Sequence, residues 1–231
     1  MASSSHRLNV LYEDNHLLVV NKPAMLPTMG VAEGRPSLLA LAKEYIRHKY
    51  DKPGNVYLGI VSRLDAPVTG IVVIARTSKA ASRLSAAFRD FQVEKTYLAA
   101  VSGLPDEQEA MLEHFLRKDE RHRRMHTTHA DAPDALLARL SYQVRKTFHE
   151  MALLEVQLET GRKHQIRVQL AKIGHPILGD RKYGSPREFP LGIALHALSL
   201  EFTHPVRQKS MRIEAPLPSD WRKNRSVAAC L

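Results

Sequence analysis

The chain has 231 residues, 44% hydrophobic and 25% charged, which is enough for one large domain with its own core and argues against disorder or a membrane class. Lysine and arginine outnumber aspartate and glutamate 34 to 24, a formal charge of +10, so a polyanionic partner is favoured and nucleic acid comes first, although charge does not separate RNA from DNA. The single cysteine, Cys230, excludes an intrachain disulfide and argues against a thiolate zinc site. With no apolar leader in MASSSHRLNV and no apolar run approaching the roughly 20 residues that span a bilayer, a soluble protein of the reducing cytoplasm is expected.

Residues 10–20 read as two short strands around a polar turn at 13–15, ended by Asn21-Lys22-Pro23. Pro36 then opens an amphipathic helix to about Tyr50, with Leu38, Leu41, Ala42, Tyr45 and Ile46 on one stripe, and 51–55 is a loop. The segment 57–76 is apolar at both ends and polar at 62–70, and 71–75 reads as a buried strand. Thr77 or Ser78 caps a second helix carrying Ala81, Leu84 and Phe88, and a strand follows at 96–101.

Residues 103–135 have weak periodicity and a basic core, RKDERHRRMHTTH at 117–129, which reads as a surface insertion on a single domain. Ala152, Leu154, Val156 and Leu158 alternate with Glu155, Gln157 and Glu159, as in a half-exposed antiparallel strand, and Leu198, Leu200 and Phe202 repeat the pattern. Between them 162–173 reads as a helix stopped by Gly174, with Ile166, Leu170 and Ile173 toward the core and His164 and Arg167 off that stripe, free to face a cleft. Strand runs with a few interposed helices predict an α+β fold built on a mixed, mostly antiparallel central sheet with flanking helices.

The segment SRLDAPVTG at 62–70 places Arg63 and Asp65 in a loop that runs directly into a buried strand, a good mount for a catalytic carboxylate. Read locally, Asp65 serves equally as a turn residue paired with Arg63, Tyr97 as a core tyrosine and Arg167 as a solvated arginine. Arg117, Lys118, Arg121, Arg123 and Arg124 form the densest basic stretch and are candidate nucleic-acid contacts. Lys22, Lys79, Lys163, Arg181 and Lys182 are weaker ones. His122, His126 and His129 include one i, i+4 pair but no intervening glutamate and no adjacent cysteine, so no metal is expected, and no G-x-S-x-G supports a serine hydrolase.

Five ordered blocks carry a more specific signal: VLYEDNHLLVVNKPAMLP at 10–27, SRLDAPVTGIVVIARTSKAA at 62–81, EKTYLAAVSG at 94–103, LETGRKHQIRVQLAKIGHPILGDRKYG at 158–184 and ALHALSLEFTHP at 194–205. Together they resemble the RluA-type RNA pseudouridine synthase family. The resemblance implies an isomerase that uses no cofactor and acts on uridine in structured ribosomal or transfer RNA, with no membrane, metal or obligate protein partner. It assigns Asp65, in Arg63-Leu64-Asp65, as the catalytic carboxylate, and Arg63 as the side chain that helps extrude the uridine.

The family's Lys-x-Tyr-x-Ala motif is matched by Lys95 to Ala99, which places Tyr97 in the active site. Arg167, in His164-Gln165-Ile166-Arg167, becomes the expected ion-pair partner of Asp65, with His164 on the substrate side and Leu195 on the pocket wall. A neighbouring arginine would keep the carboxylate ionised at neutral pH. Tyr97 would offer a ring to the uracil and a hydroxyl near C5, where a proton must leave. The family has His before Arg-Leu-Asp and Thr-Ser-Gly after it, whereas this chain has Ser62 and Val68-Thr69-Gly70. Those departures are the best support for an alternative, a catalytically silent RNA-binding or chaperone protein on the same scaffold. The matching sequence starts by Val10, so the small N-terminal RNA-binding domain of many relatives is not expected.

Overall fold

A computed structural model describes residues 8–32 and 34–231; the stretch 1–7, read above for a leader, lies outside the described residues. In chain order the elements are β1 (Val10–Glu13), β2 (Leu17–Lys22), α1 (Leu38–Lys49), β3 (Gly59–Ile60), β4 (Thr69–Ala75), α2 (Ser78–Arg89), β5 (Glu94–Ser102), β6 (Glu109–Asp119), β7 (Arg124–Thr128), β8 (Leu136–Thr147), β9 (Met151–Leu158), α3 (Gln165–Lys172), a 3-10 turn (Arg181–Tyr183), β10 (Leu195–Thr203), β11 (Ser210–Glu214), α4 (Ser219–Lys223) and α5 (Arg225–Ala229). Contacts divide them into two compact units, one holding the chain up to Val93 with Ser199–Pro216, the other Glu94–Leu198 with Leu217–Leu231. The fold is α+β and its strands pair mostly antiparallel, as the sequence predicts.

In the first unit β2 pairs with both β1 and β4, and β4 also pairs with β3. Helices cover both faces of this ladder, which is why β4 is an unbroken apolar run with every residue buried. Alternate residues divide between the two sides. Leu18, Val20, Val72 and Ile74 meet Leu38, Ala42 and Ile46 of α1, while Leu17, Val19, Ile71 and Val73 meet Ala80 and Leu84 of α2. Both helices begin at hydroxyl caps: Ser37 accepts from the Ala40 N–H and Thr77 from the Ala80 N–H, each at 3.2 Å.

The turn at Asp14 is built by its own carboxylate. One oxygen accepts from the backbone N–H groups of His16 and Leu17 at 2.8 Å, and the other accepts from Tyr12 Oη and His204 Nε2 at 3.0 Å. His204 Nδ1 accepts from the Val206 and Arg207 N–H groups, so the ring proton sits on Nε2, facing Asp14. Burial works against ionising Asp14, yet these donors hold its carboxyl below the usual value.

In the second unit β5, β9, β8, β6 and β7 form one antiparallel ladder in that order. Residues 103–135, weakly periodic in sequence, thus contain two of its strands, and the basic stretch is the β6–β7 hairpin. Leu116, Met125, Ala138 and Val168 form a small core between that hairpin and α3.

The helix expected over 162–173 starts only at Gln165. The Gln165 carboxamide oxygen instead accepts from Thr160 Oγ1 at 2.7 Å and the Arg162 N–H at 2.9 Å, fixing 160–164 as a turn, with His164 left-handed at φ 54°. The expected division into a core stripe and a polar face also fails, because Gln165 through Leu170 are all buried, Arg167 included. The C-terminal α4, which carries no clear signal in the sequence, buries Trp221 edge-on to Phe189 and His196. No helix among the described residues is long and apolar enough to cross a membrane.

Candidate active site

Asp65 lies half-buried in the first unit, in a loop whose backbone is fastened on both sides. Before it, Thr28 Oγ1 donates to the Leu64 carbonyl at 2.8 Å and accepts the Leu64 N–H at 3.2 Å. After it, Lys22 Nζ donates to the Ala66 carbonyl at 3.1 Å, and the Val68 N–H closes a turn onto the Asp65 carbonyl at 3.1 Å. Ser62 Oγ accepts the Val73 N–H of β4 at 3.1 Å. The hydroxyl standing where the family has His therefore ties the loop to its strand, and Val68, the other departure, is buried. Arg63 is exposed beside Asp65.

By its place in the sequence Lys22 is a candidate basic contact for RNA. It is instead fully buried, its ammonium also donating to the carbonyls of Pro23 and Leu26 at 2.8 Å. Burial pushes it down to about 7, against the opposing pull of the Asp65 charge. It holds the loop from below, and a phosphate has no route to it.

The remaining sequence-predicted residues are in the second unit. Tyr97 is half-buried on β5 opposite Val156 of β9, and Lys95, at the start of the same motif, is buried, which lowers its pKa. Leu195 is buried at the start of β10. Arg167 makes a fork-to-fork pair with Asp180, Nε to Oδ2 at 2.6 Å and Nη2 to Oδ1 at 2.9 Å, both side chains nearly inaccessible. Its guanidinium lies 5.0 Å from the centre of the Tyr183 ring.

Tyr183 Oη is 2.7 Å from His164 Nδ1 and accepts the Met125 N–H at 2.9 Å. Arg167 and His164 are thus brought together by Asp180 and Tyr183, two residues that sequence reasoning missed although both stand inside the quoted GDRKYG segment. The signal available was Gly179. Its φ is +82°, and a Cβ there would meet Phe189 Cβ at 2.7 Å and the Gly192 carbonyl at 2.8 Å, so the turn that presents Asp180 admits only glycine.

Met125 belongs to the basic hairpin, so Tyr183 also fixes that hairpin to α3, with Lys182 Nζ adding a bond to the Arg123 carbonyl at 3.2 Å. Arg117, Lys118, Arg121, Arg123 and Arg124 are all exposed on it. Asp119 organises its turn by accepting from the His122 N–H and ring at 3.0 and 2.7 Å. His122 lies in that turn and His126 on β7, so their i, i+4 spacing does not form a helical face. Among the described residues no group of three or more His, Cys, Asp or Glu is placed to hold a metal ion. Of the weaker basic candidates, Lys79 and Lys163 are exposed and Arg181 is paired with Glu188.

Residues 16–172 match the family model for RNA pseudouridylate synthase. An uncharacterised RNA pseudouridine synthase of Bacillus subtilis is 35% identical over 216 residues, covering 94% of this chain and 75% of that protein. The ribosomal large subunit pseudouridine synthase D of Xylella fastidiosa is 35% identical over 230 residues, covering 92% of this chain and 67% of its own length. Among solved structures, human RNA pseudouridylate synthase domain containing 4 superposes with a TM-score of 0.78 at 25% identity, over 96% of this chain and 92% of that one. The human domain containing 1 protein, at 21% identity and a TM-score of 0.76 over 100% of this chain and 90% of its own, shares the fold. The chain belongs to the RNA pseudouridylate synthase family, isomerases that convert uridine in RNA to pseudouridine.

Proposed function

We propose that the protein modifies uridines of structured RNA, ribosomal RNA of the large subunit first and transfer RNA second, with Asp65 as the catalytic carboxylate. The observation that carries this reading is the loop of Asp65, in which a half-buried carboxylate has the backbone on either side held by Thr28 and Lys22. Such immobilisation suits a group that must meet one atom of a flipped nucleotide. Support for the RNA target comes from the relatives named ribosomal large subunit pseudouridine synthase.

In the reaction the N1–C1′ bond breaks, the uracil turns, C5 joins C1′, and the proton on C5 leaves while N1 gains one. Composition is conserved, so neither oxidant nor water is consumed. Asp65 supports the C1′ and uracil charge changes, as nucleophile or as electrostatic stabiliser. Tyr97 receives the uracil ring and sets its hydroxyl near C5, where a proton must leave, Arg167 supplies positive charge to the reacting groups, and Leu195 contributes an apolar wall. Arg63, exposed next to Asp65, fills the stack that the uridine leaves, and His164 and the hairpin arginines take the surrounding phosphates. The chain acts as one catalytic domain, in the reducing cytoplasm that a free, buried Cys230 suits.

The test incubates wild-type protein and Asp65→Ala with total RNA from cells lacking the enzyme and maps new pseudouridines by a chemical adduct that stops reverse transcription. Sites made by the wild type and absent with Asp65→Ala are expected. Sites made equally by both would remove Asp65 from the chemistry, and RNA binding by both proteins without any site, across several RNA preparations, would favour the silent RNA-binding scaffold.

A further inference from the structure

We infer that Thr28 is a positioning residue for Asp65, an inference that rests on the reading of Asp65 as the catalytic carboxylate. Thr28 is buried, at 4% exposure, and its hydroxyl engages both backbone groups of Leu64, the residue directly before Asp65. One hydroxyl thereby does what a neighbouring strand would do, donating to the carbonyl and accepting the N–H. The loop has no paired strand at this point, so that hydroxyl stands in for one.

The rigidity behind it comes from α1. The Thr28 carbonyl accepts the Leu39 N–H at 3.0 Å and the Pro27 carbonyl accepts the Leu38 N–H at 2.9 Å, so the first turn of the helix holds the segment that carries Thr28. That helix is locked in turn by Leu38, Ala42 and Ile46, and the Leu64 side chain packs against the same cluster. A continuous path of packed and hydrogen-bonded groups therefore runs from the core to the peptide before Asp65.

On the far side Lys22 donates to the Ala66 carbonyl and the Val68 N–H to the Asp65 carbonyl, one bond to each residue's carbonyl. Thr28 is the one side chain in this set that grips both backbone polar groups of a single loop residue. Its hydroxyl touches no substrate atom in this scheme and works through the Asp65 backbone alone. A displacement of order 1 Å at a reacting carboxylate costs about 100-fold in rate, while the core clusters on either side of β2 and β4 do not depend on the hydroxyl.

The experiment compares Thr28→Val, which keeps shape and loses the hydroxyl, with Thr28→Ser, which keeps the hydroxyl and loses the methyl. Asp65→Ala serves as the reference. The substrate is a transcript spanning a uridine that the wild-type protein converts, and kcat and KM are measured together with thermal unfolding and the hydrogen-exchange rate of the Leu64 amide. Expected for Thr28→Val is a kcat lower by about 10- to 100-fold with KM within twofold, a faster-exchanging Leu64 amide, and recovery of most of the rate in Thr28→Ser.

Full kcat in Thr28→Val would overturn the inference, as would equal impairment of the Ser and Val variants. A Thr28→Val protein that does not fold at the assay temperature also counts against it, since the contact would then hold the fold and not the carboxylate. If Asp65→Ala is inactive and Thr28→Val is unimpaired, only the role of Thr28 falls; if Asp65→Ala is as active as the wild type, the reading of Asp65 fails and Thr28 falls with it.

Discussion

Replacing Lys22 by methionine, which keeps the length of the side chain and removes its charge, gives a stability difference whose dependence on pH is set by the structure. Two large effects oppose each other near neutrality. Keeping the proton on a fully buried amine whose pKa is about 7 instead of 10.5 costs about 5 kcal/mol relative to water. Methionine removes that cost but strips a donor from the carbonyls of Pro23, Leu26 and Ala66, at about 1–3 kcal/mol each. The two contributions are opposite in sign and of similar order at pH 7, so the slope with pH is the informative quantity.

Between pH 7 and 10.5 the unfolded chain keeps the Lys22 proton while the folded chain sheds it, so the unfolded state binds more protons and wild-type stability rises with pH. Integrated from pH 7 to 9, the wild type should gain about 2.3 kcal/mol on Lys22→Met. Urea unfolding of both proteins at the two pH values, by far-UV circular dichroism, measures the difference. A difference that stays constant or shrinks would show that the three carbonyls keep the ammonium charged throughout, and the argument from burial would be wrong.

Asp180→Ala removes both acceptors of the Arg167 fork inside the second unit and should cost about 3–5 kcal/mol in urea unfolding, part of it recovered when Arg167→Met is added; a cost under about 1 kcal/mol would show that the pair is not a structural anchor. Asp14→Asn should cost about 2 kcal/mol at pH 7. Because the folded pKa of Asp14 lies below its ordinary 3.8, that contribution is present above the ordinary value and is lost as pH falls through the folded one, so the difference from wild type should shrink in acid unfolding curves. Changing Arg117, Arg121, Arg123 and Arg124 to glutamine together should weaken RNA binding and flatten the dependence of log K on log salt by up to about 3. An unchanged slope in filter binding would take the hairpin out of the RNA contact surface.

Much of the first unit was legible because its elements carry local signals. The helix over 38–49 carries an apolar stripe that starts two residues after Pro36, with Ser37 and not the proline setting its start; the helix over 78–89 is announced by its hydroxyl cap, and β4 is a continuous apolar run. The second unit was harder for a physical reason. Its β6 alternates exposed and half-buried residues, with Met111 exposed and Leu116 buried, so period-2 contrast is weak in the sequence. The helix at 165–172 misled in the opposite direction: with six successive residues buried, it has no polar face for periodicity to find, and its start is set by a glutamine side chain reaching back over a turn.

The candidate site divides the same way. Asp65, Arg63 and Tyr97 stand in short motifs and are candidates on sequence alone, whereas the groups that hold the Asp65 loop are distant in sequence: Thr28 lies 36 residues from Leu64, and Lys22 lies 44 from Ala66. No local pattern marks a buried threonine as the partner of a loop in another part of the chain. Ser62 shows the converse. Read as a departure from the family motif it weakens the assignment of the loop, yet its hydroxyl ties the loop to Val73 of the buried strand, so this chain has an anchor at that position. The departure accordingly bears on how tightly the loop is held and leaves the carboxylate that it presents unchanged.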